Sequence, residues 1–327
     1  ILLAIIIGFV IYKLITKTAL SPTKIIESLI RPTTTTLPIA EEGEKIGEEK
    51  KATTTEKILP SAENIPTGGP SYYSPKAVEK LTDDYTLFVA MNNQGEIRYH
   101  NAEDGKYYRI NENGEIEKLS DRIFYNVKNT TWAKEKDTAV IEYPDGSNII
   151  YNFEGEKQYS LPKHWEEFDF SPQDSQIAAK SIGLSENNRW LIAINDDGTQ
   201  TKYVEELGAN ADKVNVDWSP SGQTVAFSRT GDANANNQEE ILLIGLNGEN
   251  FKSIITEGYG FEGKWSPSGE QLLFSVYSDR SNYKPELWIV NSFGDDIGTN
   301  RRLINLNTWS GKCAFAGENI IYCAVPE

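Results

Sequence analysis

The stretch Lys264-Trp265-Ser266-Pro267-Ser268-Gly269-Glu270-Gln271-Leu272-Leu273-Phe274-Ser275 returns, with varying drift, across most of this 327-residue chain. Its nearest copy is Asp217-Trp218-Ser219-Pro220-Ser221-Gly222-Gln223-Thr224-Val225-Ala226-Phe227-Ser228, and a weaker one runs from Asp169 to Ala179. Phe170, Trp218 and Trp265 are 48 and 47 residues apart. A period of that length belongs to blade or solenoid architectures, in which each unit buries its apolar face against the next. In Ser266-Pro267-Ser268-Gly269, Ser opens the turn, Pro sets φ at its second position and Gly closes it, the composition of a type I turn. The short apolar runs after each turn suit buried strands. A helix start, with Ser266 as N-cap and Glu270 as the capping-box acid, is the competing reading. It lacks apolar residues at i, i+3, i+4 and i+7 downstream. The repeat-defining positions are therefore Trp218, Pro220, Gly222, Trp265, Pro267 and Gly269.

Strand signals run from Asp83 almost without pause. Thr86–Ala90, Glu96–His100 and Lys106–Ile110 form a first blade, separated by Asn- and Gly-rich turns. A second holds Trp132, Thr138–Ile141 and Asn148–Phe153; a third runs from Phe168 through Trp190–Ile194. The fourth continues from Trp218 to Ile241–Leu246 and the Asn247-Gly248 hairpin signal, and the fifth carries Glu286–Val290. The Trp-Ser-Pro-Ser-Gly turns at Trp218 and Trp265 resemble the WD40-like repeats of TolB-type β-propellers over roughly Asp83 to Glu327. No Gly-His to Trp-Asp pairing of the eukaryotic WD40 kind is present. The resemblance implies an all-β propeller of four-stranded antiparallel blades, five to six in number, that serves as a binding platform. Proteins of the TolB kind are exported and bind other envelope proteins, but carry an amino-terminal domain for which this chain has no counterpart.

Ahead of the repeats, Ile1–Tyr12 is apolar and uncharged, and Lys13 and Lys17 come directly after it. Twelve residues fall short of the roughly 20 a spanning helix needs, and the chain opens without Met. A transmembrane anchor over residues 1–17, missing its start, is the expectation, since no Ala-x-Ala cleavage site is present beyond it. Residues 18–82 are rich in Thr, Glu and Pro and read as a flexible linker, of which the stretch from Thr18 to Pro70 alone has a reach of roughly 40 Å, leaving 83–327 as the propeller domain. Lys13, Lys17 and Lys24 after the apolar run favour the cytoplasm for the carboxy-terminal side of the anchor, on the one flank that is visible.

The tail reopens the question of side. Gly311–Cys323 begins a sixth copy, completed either by a closing blade shared with Thr86–Ala90 or by residues beyond Glu327. Cys313 and Cys323 are the only cysteines. A hairpin looped at Gly317-Glu318-Asn319 pairs Ala316 with Ile320 and sets the cysteines opposite each other, close enough for a disulfide. Aligning the segment with the fifth blade instead moves the turn to 314–317 and separates them. A disulfide places the propeller outside the cytoplasm, on a single-pass membrane protein.

Chemistry-bearing motifs are sparse. His100 and His164 are the only histidines, and neither has a neighbour at metal-ligand spacing. No Gly-x-Ser-x-Gly elbow is present. The loop Asp232–Glu240 alternates oxygen ligands but has Asn237 where a calcium loop has Gly and Leu243 where it has Glu. No catalytic residue, cofactor or metal site is expected. The formal charge of −16 and pI near 4.7 argue against a nucleic-acid partner. The favoured reading is a membrane-tethered, extracytoplasmic propeller, not an enzyme, that binds a protein or peptide at one face of its ring. Two alternatives stand beside it: the gating propeller of a truncated serine peptidase, and a cell-wall or glycan module with Tyr72, Tyr73 or Trp309 stacking on sugars.

Overall fold

The computed structural model describes residues 80–232, 237–249 and 251–326, so the anchor at 1–17, nearly all of the linker, Tyr72, Tyr73 and the middle of the Asp232–Glu240 loop lie outside it. The described chain is all-β, as the repeats predict: five antiparallel four-stranded sheets in sequence order, then a two-stranded hairpin. Blade 1 comprises β1 (Thr86–Met91), β2 (Ile97–Asn101), β3 (Tyr107–Ile110) and β4 (Ile116–Lys118). Blade 2 comprises β5 (Asn129–Trp132), β6 (Thr138–Glu142), β7 (Asn148–Asn152) and β8 (Lys157–Leu161). Blade 3 comprises β9 (Trp165–Phe170), β10 (Gln176–Ile182), β11 (Arg189–Asn195) and β12 (Lys202–Glu206). Blade 4 comprises β13 (Val214–Val216), β14 (Thr224–Ser228), β15 (Glu239–Gly245) and β16 (Ile254–Thr256). Blade 5 comprises β17 (Tyr259–Trp265), β18 (Gln271–Tyr277), β19 (Pro285–Asn291) and β20 (Arg302–Ile304), and the hairpin is β21 (Cys313–Gly317) with β22 (Ile320–Cys323).

Strand alternation explains why the repeats read as unbroken apolar runs. In β6, Ala139 and Ile141 pack toward blade 1 while Val140 between them packs toward blade 3. In β18, Leu272, Phe274 and Val276 face blade 4 and Leu273 faces the hairpin. A strand buried on both faces has no polar side to show. Trp132, Phe170 and Trp265 end their blades' first strands, Trp218 stands two residues beyond β13, and all four pack back onto the preceding blade.

The Ser-Pro turns lead into strands. Gly222 donates its N–H to the Ser219 carbonyl at 2.8 Å and Gly269 donates to Ser266 at 2.9 Å, both glycines at positive φ (78° and 75°). At Gly269 a Cβ would lie 2.6 Å from the backbone nitrogen of Ser221, so the neighbouring turn also demands glycine. The third copy puts Asp174 at that place with φ 53°. Its buried carboxylate offsets the strain by accepting the N–H groups of Lys134 (2.6 Å), Glu135 (2.6 Å) and Lys136 (2.9 Å) from blade 2.

Two sequence expectations need correction. Among the described residues β1 pairs only with β2, so Thr86–Ala90 does not form a shared closing blade with the hairpin; blade 1 supplies its own fourth strand, β4. In the hairpin, Ile320 pairs with Gly317 rather than Ala316; Ala316 is an extra residue, and beyond it the register returns to Cys313 opposite Cys323. The two cysteines are joined, and the hairpin packs through Cys313, Phe315 and Ile321 onto blade 5. Closing a loop of 10 residues constrains the unfolded segment by about 2–3 kcal/mol. Reduction is expected to loosen this hairpin alone, seen as new proteolytic cleavage near Glu318-Asn319 with the five-blade melting transition unmoved.

Candidate functional site

The first strands of neighbouring blades lie against one another, β1 beside β5, β5 beside β9 and β9 beside β13, which makes them the innermost strands around the propeller axis. Two of these inner strands, and β17, the first strand of blade 5, are irregular. The β1 ladder slips between Leu87 and Ala90, with Phe88 at φ 51°; Glu167 in β9 stands at φ 54°; and β17 slips beside Gly260 at φ 71°. Bulges of this kind re-aim side chains. The one in β1 is pinned by the Trp132 indole, which donates its Nε1–H to the Phe88 carbonyl at 2.9 Å.

The result is a groove of about 280 Å³ between β1 and β5. Phe88, Val89, Ala90 and Met91 form one wall, Asn129 to Lys134 the other, and Asp169 reaches in from blade 3. Val89 and Met91 are 56% and 70% exposed, unusual for large apolar side chains on an inner strand. At the polar end, Lys134 Nζ donates to Asp169 Oδ1 at 2.7 Å, and the Trp218 N–H donates to Asp169 Oδ2 at 2.6 Å. Asp169 thus joins blades 2, 3 and 4.

Asp217, the equivalent of Asp169 in blade 4, is recessed behind this pair. Burial first, and the Asp169 carboxylate second, push its carboxyl up to about 7 against the pull of Lys134 and Lys264. The groove therefore combines an apolar wall with a Lys–Asp pair, and behind that pair stands a carboxyl, outside the lining, that changes charge near neutrality. It can hold an apolar side chain beside a polar or charged group. The pH consequence has a definite sign. Between the ordinary Asp pKa near 4 and about 7 the folded state keeps a proton that the unfolded chain has lost, so stability falls as pH rises through that window. Asp217→Asn is expected to flatten the slope and to gain about 1–2 kcal/mol at pH 8, after discounting for residual solvent contact. Urea melts of both proteins at pH 5 and pH 8 check it; parallel curves would refute it.

Residues singled out by the sequence are scattered relative to this groove. Trp218 and Trp265 are buried between blades, and Pro220, Gly222, Pro267 and Gly269 shape turns at one end of the inner strands. Cys313 and Cys323 lie on the hairpin. His100 is buried in blade 1 with Nε2 3.0 Å from the Phe124 carbonyl, and burial lowers its pKa. His164 is likewise lowered by burial, and neither histidine lines the groove. Trp309 packs edge-on against Tyr277. Among the described residues, no group of three or more His, Cys, Asp or Glu side chains is placed to hold a metal ion. A second, open and polar cavity of about 410 Å³ lies between blades 2 and 3, lined by Asn152, Glu154, Lys157, Tyr159, Asp196 and Asp197. The sequence did carry one unread signal for the groove: Asp169, Asp217 and Lys264 each immediately precede the buried aromatic of their repeat.

No family model matches the chain, and neither does any curated protein. Among solved structures it is similar to an oligogalacturonate lyase from Vibrio parahaemolyticus, with 12% identity and a TM-score of 0.50 over 68% of this chain. The match spans 66% of the lyase, just under two thirds of its length. A putative TolB from Agrobacterium tumefaciens matches with 16% identity and a TM-score of 0.45, over 71% of this chain and 84% of that one. At 12% identity the likeness to the lyase shows the β-propeller fold alone. It also corrects the expectation that the chain is not an enzyme: a propeller of similar architecture is a lyase, so the fold and the lack of a sequence motif do not exclude catalysis.

Proposed function

We propose that the chain is a membrane-tethered, extracytoplasmic β-propeller that takes a segment of a protein or peptide partner into the groove between β1 and β5. Residues 1–17 are its anchor, 18–82 its linker and 83–327 its binding domain, and the Cys313–Cys323 disulfide favours the oxidising side of the membrane. The observation that carries the binding site is the pairing of exposed Val89 and Met91 with the Lys134–Asp169 ion pair at the end of the same groove. An apolar wall with a few fixed polar groups is the usual anatomy of a binding cleft. The β1 edge beside it also offers backbone groups to which an extended peptide can add.

The test is photo-crosslinking in cells from Met91→benzoylphenylalanine, with Ile116→benzoylphenylalanine on the outer strand β4 as control. A discrete protein adduct from position 91 that is absent from position 116, and weakened by Lys134→Glu, is the expected result. The same adducts from both positions would show that the groove has no privileged partner.

A further inference from the structure

The blades expose two unlike faces. The loops joining first to second and third to fourth strands gather at one end of the ring, where Asn93 N–H meets the Lys134 carbonyl, Asp174 caps the 134–136 turn and Ser268 meets Glu318. These loops carry sixteen Asp and Glu against four Lys and Arg. The loops joining second to third strands, together with those joining one blade to the next, gather at the other end, where Phe124 N–H meets the Gly105 carbonyl and Arg280 pairs with Glu257. There the count is nine acids and nine bases. Nearly all of the ring's charge imbalance is therefore confined to one face.

Exposed apolar side chains show the opposite distribution. Leu184, on the loop between β10 and β11, is fully exposed, and Tyr283, between β18 and β19, is 69% exposed on a backbone at φ 58°. Ile123 and Tyr125, on the loop entering blade 2, and Tyr85, just ahead of β1, are also exposed on this face. Its acidic counterpart presents Phe293 alone among the large hydrophobics of its described loops. The apolar side chains stand on loops of blades 1, 3 and 5, distributed round the ring rather than gathered in one pocket, which suits a flat partner. Finally, the polypeptide enters the propeller here: Tyr85 accepts the Ala102 N–H through its carbonyl, next to the turn between β2 and β3.

We infer that this charge-balanced, tyrosine-bearing face rests on the lipid surface, with Leu184 and Tyr283 reaching the headgroup region and the acidic face turned to solution. Tyrosine is favoured at the membrane–water boundary, and an anionic leaflet repels a surface rich in carboxylates while tolerating a balanced one. The point of chain entry bears on this only through the anchor proposed for residues 1–17; the charge and apolar asymmetries stand without it. The arrangement leaves the acidic face free for a partner.

The chain's two cysteines are bonded to each other, so a single introduced cysteine labels cleanly. The full chain carrying Leu184→Cys, Tyr283→Cys or Phe293→Cys is labelled with bimane and reconstituted in phosphatidylcholine–phosphatidylglycerol vesicles containing nitroxide lipids. Quenching at 184 and 283, its absence at 293, and its reduction at 184 by Tyr283→Asp are expected. Sedimentation with the vesicles but no quenching at 184 or 283, or equal quenching at 293, overturns this inference and leaves the anchor standing. A chain that stays in the supernatant overturns both. A change in bimane emission at 184 that follows protein density and ignores the quencher would mean that the face meets a second copy, and also overturns the inference.

Discussion

Trp265→Ala is expected to destabilise the propeller by about 3–5 kcal/mol, a large share of the 5–15 kcal/mol that holds a typical domain folded. The indole is 8% exposed and stacks on Phe227 of blade 4 with centroids 4.9 Å apart and planes 20° apart. Truncation opens a cavity at the junction of two blades, where neither sheet can collapse without losing its own ladder. Trp218→Ala should cost a similar amount, because Trp218 fills the same place between blades 3 and 4. The phenylalanine variants separate size from polarity. The Trp218 indole N–H is buried without a partner, so Trp218→Phe loses ring area but also removes an unpaired donor and should cost about 1 kcal/mol or less; the Trp265 N–H faces the Asp217 carboxyl, so Trp265→Phe should cost somewhat more than that. Trp132 differs, because its N–H holds the Phe88 carbonyl and with it the groove wall. Trp132→Phe should therefore cost more than the other two and weaken partner binding at Met91. Urea unfolding of these variants tests this ordering, and an equal cost for all three phenylalanine variants would defeat it.

The part of this fold legible in the sequence is the part written in local chemistry. Pro267 and Gly269 set a turn with backbone terms alone, and the run Leu272-Leu273-Phe274 announces a strand because both of its faces are buried. The cysteine pairing followed from strand opposition even though the loop register was off by a bulge. The outer strands were harder to read. β4 and β12 are largely exposed at the rim and carry charged residues at positions where the second and third strands of the blades carry aliphatic ones, so no apolar pattern marks them. The groove was less legible still. It depends on a bulge at Phe88, a residue with no propensity for positive φ, and on Lys134 and Asp169 meeting across 35 residues of chain. Such a site arises from the stacking of blades, and a strand-by-strand reading does not contain the angle between them.

The second large effect is expected where that stacking is bolted by charge. Arg98 of β2 is completely buried, donates from Nη1 to the Lys136 carbonyl and from Nη2 to the Ala133 carbonyl, each at 2.6 Å, and lies over the Trp132 ring at 4.9 Å. Its guanidinium is 3.7 Å from Asp137, whose other oxygen receives Arg109 at 2.9 Å. Burial lowers the Arg98 pKa and raises that of Asp137, each working against the attraction between them. Arg98→Met keeps most of the volume yet leaves the Ala133 carbonyl without its donor, takes one of two donors from the Lys136 carbonyl and removes the cation beside Asp137, so a loss of about 3–5 kcal/mol is expected at pH 7. The pH dependence distinguishes lost charge from lost packing. Asp137 already holds its proton to higher pH in the folded state than in the unfolded one, and removing Arg98 raises its pKa further. A raised carboxyl lowers stability as pH rises, so the deficit of the variant should be smaller at pH 4 than at pH 7. Asp137→Asn in the same background should shrink the deficit at pH 7 and remove its pH dependence. A deficit unchanged between the two pH values would mean that Arg98 joins blades 1 and 2 by packing and hydrogen bonds alone.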